Sequence, residues 1–351
     1  KLNSFFIISF VTFLIFVLGF TIYHYDRFFI SIKDAMYLLR TPIFMCSTYL
    51  IIIGIWHQKL NLKRSLNIWL LFYIFIILDI IYYLIIRTGK PLLSHDFPTL
   101  RTFGFADPNS FAAYIFLTIT FFLYYRQVYG TKINKDIFGY TWIICATLVF
   151  LFTGSRGAML ALFSVLFFEG FLRFIVMITS LKIKKITITI ISLFIIILSL
   201  QVIVLNIINL DFFSYWRVFD ESGGSNRLGR WINALNFMNF EEYSYLFGYP
   251  MTSGELLQYL GGWPHNSYIK ILLNYGPLIL IVFFGLILFA LYKVRHNFIS
   301  RSILIFLLVE CLTNDFVTSP IPGIYLGVAI AFWRLSFTNK SKKELQSLNY
   351  C

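Results

Sequence analysis

Apolar runs of near 20 residues recur down the chain between short polar segments, and each is long enough, as a helix, to cross about 30 Å of hydrocarbon. They predict spans at about 4–23, 35–56, 66–86, 103–125, 137–153, 156–178, 186–208, 266–292, 299–318 and 322–337. The expected fold is all-α, a polytopic transmembrane helix bundle of about ten spans. Residues 1–208 carry the first seven, 209–264 form one large extracytoplasmic loop, 265–337 carry the last three, and 338–351 are a cytoplasmic tail. The chain opens on Lys1, and its first apolar run ends without a small-residue cleavage site. That argues against a removed signal peptide and leaves room for one or two further helices upstream.

Positive residues orient the spans, because short loops rich in Lys and Arg stay on the cytoplasmic side. Segments 57–65, 126–136, 179–185 and 293–301 each carry three, including Lys59, Arg126, Lys182 and Arg301, and the tail adds Lys340, Lys342 and Lys343. Both termini are then cytoplasmic. Segment 87–102, with Arg87, Lys90 and Arg101, is the one short outer loop as basic as these. The long segment 209–264 falls outside; it holds seven glycines, six acids and many aromatics, Trp231 and Trp263 among them.

Composition narrows the class. Of 351 residues, 59% are hydrophobic and 13% charged, against roughly 45–50% and about 25% in soluble domains, which excludes a soluble enzyme. The net charge of +13 is scattered between apolar runs instead of forming one basic domain, so nucleic acid is not an expected partner. Cys46, Cys145, Cys311 and Cys351 stand too far apart for a zinc motif, and no disulfide framework is expected. There is no Asp-x-Asp, no Walker loop, no Gly-x-Ser-x-Gly and no His-Glu-x-x-His, which disfavours water-soluble nucleotide substrates.

Candidate chemistry gathers at the outer edge. Arg156 lies in Thr153-Gly154-Ser155-Arg156-Gly157, a short turn between two spans where Ser155 can cap the following helix and backbone N–H groups can cradle a phosphate; a hairpin with a snorkelling arginine is the plainer reading. Within the long loop, Leu228, Trp231, Ile232 and Leu235 follow helical spacing, so a short amphipathic helix is expected to lie flat on the bundle, with Arg227 and Arg230 near its amino end. The run Trp263-Pro264-His265-Asn266-Ser267-Tyr268 opens the eighth span. An imidazole of ordinary pKa, about 6.5, can take a proton from a hydroxyl there, and Asn266, Lys270 and Asn274 continue as a polar stripe down one helix face. Asp107 and Asn109 in Asp107-Pro108-Asn109 can bind sugar hydroxyls, orient His265 or cap a helix. Glu169 and Arg173, spaced i, i+4, are expected to pair, and Glu310 or Asp315 can face a cavity. Three arginines and a histidine on one side suit a lipid-anchored diphosphate carrying a sugar: arginine forks hold the diphosphate and histidine receives the acceptor's proton.

The same residues carry a resemblance. His265-Asn266, nine residues and Gly276 resemble the His-[Asn/Ser/Gln]-x9-Gly signature of the O-antigen polymerase and O-antigen ligase superfamily of bacterial envelope glycosyltransferases. The Arg156 turn, Asp107-Pro108-Asn109 and the Arg227/Arg230 segment ahead of the histidine are similar to that superfamily too. The likeness covers about residues 100–295; the chain departs from the ligase pattern at Pro277-Leu278-Ile279 and has fewer spans than the usual dozen. It implies a metal-independent, cofactor-free, inverting glycosyltransferase in a bacterial plasma membrane, moving a glycan from undecaprenyl diphosphate to a sugar hydroxyl on the extracytoplasmic face. The roles implied are His265 as general base, Arg156, Arg227 and Arg230 on the diphosphate, and Asp107, Asn109, Asn266, Lys270, Trp231 and Trp263 binding or orienting substrate. Partners implied are undecaprenyl-diphosphate-linked glycans, membrane lipids and a chain-length regulator. Polysaccharide polymerase is the leading expectation; a ligase moving the finished glycan, or a flippase for the same lipid, are the alternatives.

Overall fold

The computed structural model describes residues 11, 14–15, 18–56, 59–82, 108–129, 137–153, 155–180, 227–239, 246–249, 258–260, 264–316 and 319–348. The described part is almost wholly helical and contains no β-strand. Its main helices are α1 (Phe28–Trp56), α2 (Lys59–Tyr82), α3 (Pro108–Tyr129), α4 (Ile137–Phe152), α5 (Arg156–Ser180), α6 (Arg227–Phe237), α7 (Ser267–Val294), α8 (Phe298–Thr313) and α9 (Ile321–Leu348). Among the described residues, three segments are long and apolar enough to cross a membrane: Ile32–Gly54, Asn109–Val128 and Ser267–Val294. Ile137–Leu151, Gly157–Leu172 and Ile321–Ser336 are shorter apolar helices. The expected span at 186–208 and most of that at 4–23 lie outside the described residues.

Local chemistry sets the helix ends. α3 starts on Pro108, whose missing N–H is one that no helix could satisfy at its first position. Ser155 Oγ accepts the Ala158 N–H at 3.2 Å and caps α5; Asn297 Oδ1 accepts the Ser300 N–H at 2.9 Å and caps α8. α3 extends past the expected boundary at 125, so Arg126 is not a loop residue. It is buried in the last turn, over the Phe122 ring and against Gly139, where its charge complements the helix dipole. α9 likewise continues the expected last span through much of the proposed tail.

Side-chain and backbone contacts tie the helices together. The Tyr325 hydroxyl donates to the Ala113 carbonyl at 2.7 Å, and that of Tyr124 to the Phe332 carbonyl at 3.0 Å, so α3 and α9 run side by side. Phe116 stacks on Phe306 at 3.8 Å between α3 and α8, and the Trp142 indole donates to the Leu66 carbonyl, tying α4 to α2. Gly323 and Gly327, four apart on α9, face the backbone of α1 at Thr41 and Met45. Between α5 and α8 the Glu169 carboxylate takes the Arg301 fork, Nε to Oε1 at 2.6 Å and Nη2 to Oε2. Glu169 therefore finds a cation across the helix interface; the side chain of Arg173, its expected partner, lies outside the described residues. Outward faces carry exposed Leu50, Leu71, Phe163, Phe167 and Ile281, an apolar surface suited to lipid.

One helix is broken, and the break has a partner. Pro277 has no N–H to give the Leu273 carbonyl, and Gly276 leaves helical geometry at φ +83°. The Tyr249 N–H, from the long loop, fills the vacancy at 2.7 Å. Gly248, at φ +64°, crosses so closely that a Cβ there would lie 2.5 Å from the Leu273 oxygen, and a Cβ on Gly276 would lie 2.6 Å from the Leu246 oxygen. Gly248→Ala is expected to destabilise by about 1–3 kcal/mol or more. A lowered thermal midpoint in detergent checks it, and an unchanged midpoint contradicts this docking.

Candidate functional site

The starts of α3, α5 and α7 and the end of α8 meet at one end of the bundle. Ser155 Oγ donates to Asn109 Oδ1 at 2.7 Å, joining the Asp-Pro-Asn segment to the Arg156 turn. Two residues on, Gly157 lies so close to α8 that a Cβ would meet Thr313 Oγ1 at 2.2 Å and Asn314 Nδ2 at 2.5 Å. Asn314 in turn accepts, at its carbonyl, both the N–H and the hydroxyl of Ser267, at 3.0 and 2.7 Å. A continuous chain of contacts thus links residues 109, 155–157, 313–314 and 267.

The histidine turn sits on top of this chain. His265 is exposed, while Pro264, Asn266 and Ser267 on either side are buried. Asn266 caps α7, its Oδ1 accepting the Tyr268 and Ile269 N–H groups at 2.9 and 3.1 Å. That use of its oxygen makes Asn266 a structural support for the turn. The Trp231 indole donates to the Pro264 carbonyl at 2.7 Å, so α6 is pinned directly beside His265. Arg230 precedes Trp231 on the same helix and is half-buried.

The rotation of α6 differs from the expected one. Ala234 and Phe237 are the buried residues, packed with Tyr249, Leu260 and Leu273, whereas Ile232 and Leu235 are 50% and 53% exposed. The indole bond to Pro264 and the small Ala234 fix which face approaches α7. Apolar spacing alone does not distinguish two apolar faces on one short helix.

Beneath the turn lies a buried polar layer. Lys270, expected to bind or orient substrate, pairs with Asp315, with only 4% and 16% of the two side chains exposed. Asn314 Nδ2 donates to Oε1 of the wholly buried Glu310 at 2.6 Å. Asn274 is buried on the same helix, and the Tyr275 hydroxyl donates to the Asp34 carbonyl at 2.8 Å, joining α7 to α1. The stripe Asn266, Lys270, Asn274 is real as geometry, but it faces the protein interior. Lys270→Met is expected to cost about 3–5 kcal/mol by stranding a buried carboxylate, and Lys270→Met with Asp315→Leu to regain most of it. Thermal unfolding of the single and double variants measures this; additive losses contradict it.

Asp107 and Trp263, and the side chains of Arg156 and Arg227, lie outside the described residues; the backbones of Arg156 and Arg227 open α5 and α6. Ser267 and Asn314 are supports that sequence reasoning did not single out. The signal present was a polar pair, Asn314-Asp315, at the end of an apolar run. Among the described residues, no three His, Cys, Asp or Glu side chains group closely enough to hold a metal ion. The chain matches no family model, no curated protein and no solved structure.

Proposed function

We propose that the protein is a multi-spanning glycosyltransferase of a bacterial plasma membrane that polymerises a polysaccharide. Both termini face the cytoplasm, and the end bearing His265 opens away from it. A growing glycan on one lipid diphosphate is transferred to the hydroxyl of a repeat unit on another. The hydroxyl oxygen bonds to the anomeric carbon as the bond from that carbon to the diphosphate oxygen breaks, with inversion. His265 receives the hydroxyl proton, and the lipid diphosphate leaves with the electron pair. Arg156, Arg227 and Arg230 neutralise that leaving charge.

The observation carrying this reading is the gathering, at one end of the bundle, of the Arg156 turn, the His265 turn and the helix that bears Arg230. These are far apart in sequence, and each supplies a part that glycosyl transfer from a diphosphate needs. A transporter of the same lipid would concentrate its polar groups at the bilayer midplane between repeated halves; the polar layer here lies under one end. A ligase uses the same chemistry on another acceptor. The heavy use of Ile, Phe, Asn and Lys leans toward an AT-rich genome of the Gram-positive kind, which offers no lipid A to receive a finished chain.

The test is to incubate the purified protein with lipid-diphosphate-linked repeat units and resolve the products by length. A glycan ladder is expected. Unlengthened units moved between leaflets would make it a transporter, and transfer only onto an added foreign acceptor would make it a ligase.

A further inference from the structure

Among the described residues, His265 is the one non-glycine with a positive φ, +46°. A side chain with a Cβ is disfavoured there, so the conformation persists only where its surroundings impose it. Here they do so from both sides. Before it, the Pro264 carbonyl is held by the Trp231 indole. After it, the Asn266 amide is committed to capping. Ser267 makes three bonds: its N–H and hydroxyl go to the Asn314 carbonyl, and its Oγ accepts the Phe316 N–H at 2.8 Å. Ser267 is almost wholly buried, yet the residue two before it is exposed. The Pro264 carbonyl, the Asn266 side-chain oxygen and Ser267 are all engaged in holding the turn, while His265 itself is exposed.

We propose that Ser267 is a positioning residue for His265: bonded to Asn314 and Phe316 at the end of α8, it locks the left-handed turn so that the imidazole stands over the outer end of the bundle. Its catalytic meaning rests on the proposed function, since His265 must act on substrate for its placement to matter. The hydroxyl acts through backbone geometry and touches no reacting atom. Losing it frees the turn to relax toward ordinary φ, swinging the imidazole by an ångström or more, and a misplacement of that size costs about 10²-fold in rate. Substrate binding, carried by other groups, is spared.

The test compares Ser267→Ala with Ser267→Thr, which keeps the hydroxyl. Ser267 borders a small cavity shared with Tyr37, Leu38, Thr41 and Ile271, with room for about one water, and the added methyl can occupy it. Expected for Ser267→Ala is a fall in kcat of about 10²-fold with little change in KM, and a several-fold change in the rate at which diethyl pyrocarbonate modifies His265, read by peptide mass. Ser267→Thr is expected to restore both. Trp231→Phe, which keeps an aromatic ring but loses the indole N–H that holds the Pro264 carbonyl, is the second variant and should shift the modification rate in the same way. Wild-type kcat and wild-type modification rate in Ser267→Ala would overturn the proposal, as would equal damage from Ala and Thr. If the wild-type protein lengthens no glycan, the functional reading falls, and the modification rates alone decide whether Ser267 sets the imidazole.

Discussion

His265→Ala is expected to leave a folded protein that lengthens glycans very poorly, with turnover reduced by about 10²–10⁴-fold, the usual contribution of a positioned general base. The fold should survive because the imidazole is exposed and the buried bonds of the turn come from Pro264, Asn266 and Ser267. His265→Asn is the sharper version, since asparagine tolerates the left-handed backbone at φ +46° and lacks a base of suitable pKa. Both variants should give wild-type yields and short products. Arg156→Lys, at the start of α5, keeps the charge and loses the fork, and is expected to be strongly impaired as well. Product length on a gel measures all three. Normal chains from His265→Asn would remove the histidine from the mechanism, and full activity in Arg156→Lys would leave that arginine a snorkelling boundary residue.

The second large effect concerns the fold. Gly323→Val is expected to abolish recovery of folded protein, because a Cβ at 323 would lie 2.3 Å from the Thr41 carbonyl oxygen and 2.9 Å from the Phe44 Cβ. Neither neighbour can move without parting α9 from α1. Gly327 makes the same approach one turn on, 2.6 Å from the Met45 oxygen, so the two helices touch backbone to backbone along this seam. In lipid, where apolar burial drives helices together only weakly, such close packing carries much of the association. Gly54, Gly170 and Gly285 are the internal controls: a Cβ there meets nothing within 4 Å. Alanine at those positions should be neutral or stabilising by up to about 1 kcal/mol, from helix propensity. Monodisperse elution and thermal midpoint in detergent report the outcome, and a wild-type profile for Gly323→Val would contradict the seam.

Much of the helical layout is legible in the apolar runs, because a run of that length has no other way to bury its backbone polar groups. The expected 137–153 is α4, Ile137–Phe152, and the expected 156–178 is α5, Arg156–Ser180. The start of α7, Ser267, falls within one residue of the expected span start at 266, while the capping role of Asn266 emerges only from the structure. What sequence does not carry is which distant partner a residue chooses. Glu169 takes Arg301 on another helix, and Lys270, in the polar stripe, is paired with Asp315. Leu228, Trp231, Ile232 and Leu235 make a plausible buried stripe, yet α6 is turned by one indole bond to Pro264. Gly276 is conspicuous as a motif position, but its physical reason, a loop backbone crossing a proline break, needs Gly248 and Tyr249 beside it. The spacing of Gly323 and Gly327 is visible along the chain, whereas the helix they meet is not.

The account stands on Arg156 and His265 meeting at one end of the bundle, facing away from the cytoplasm. Cysteine cross-linking tests this most directly. In a background with the four native cysteines replaced, cysteines at 156 and 265 are treated, in sealed right-side-out vesicles, with a short bifunctional maleimide that does not cross membranes. The account predicts an intramolecular cross-link from outside. Failure to cross-link, or reaction only when the reagent is admitted to the cytoplasmic side, would contradict it.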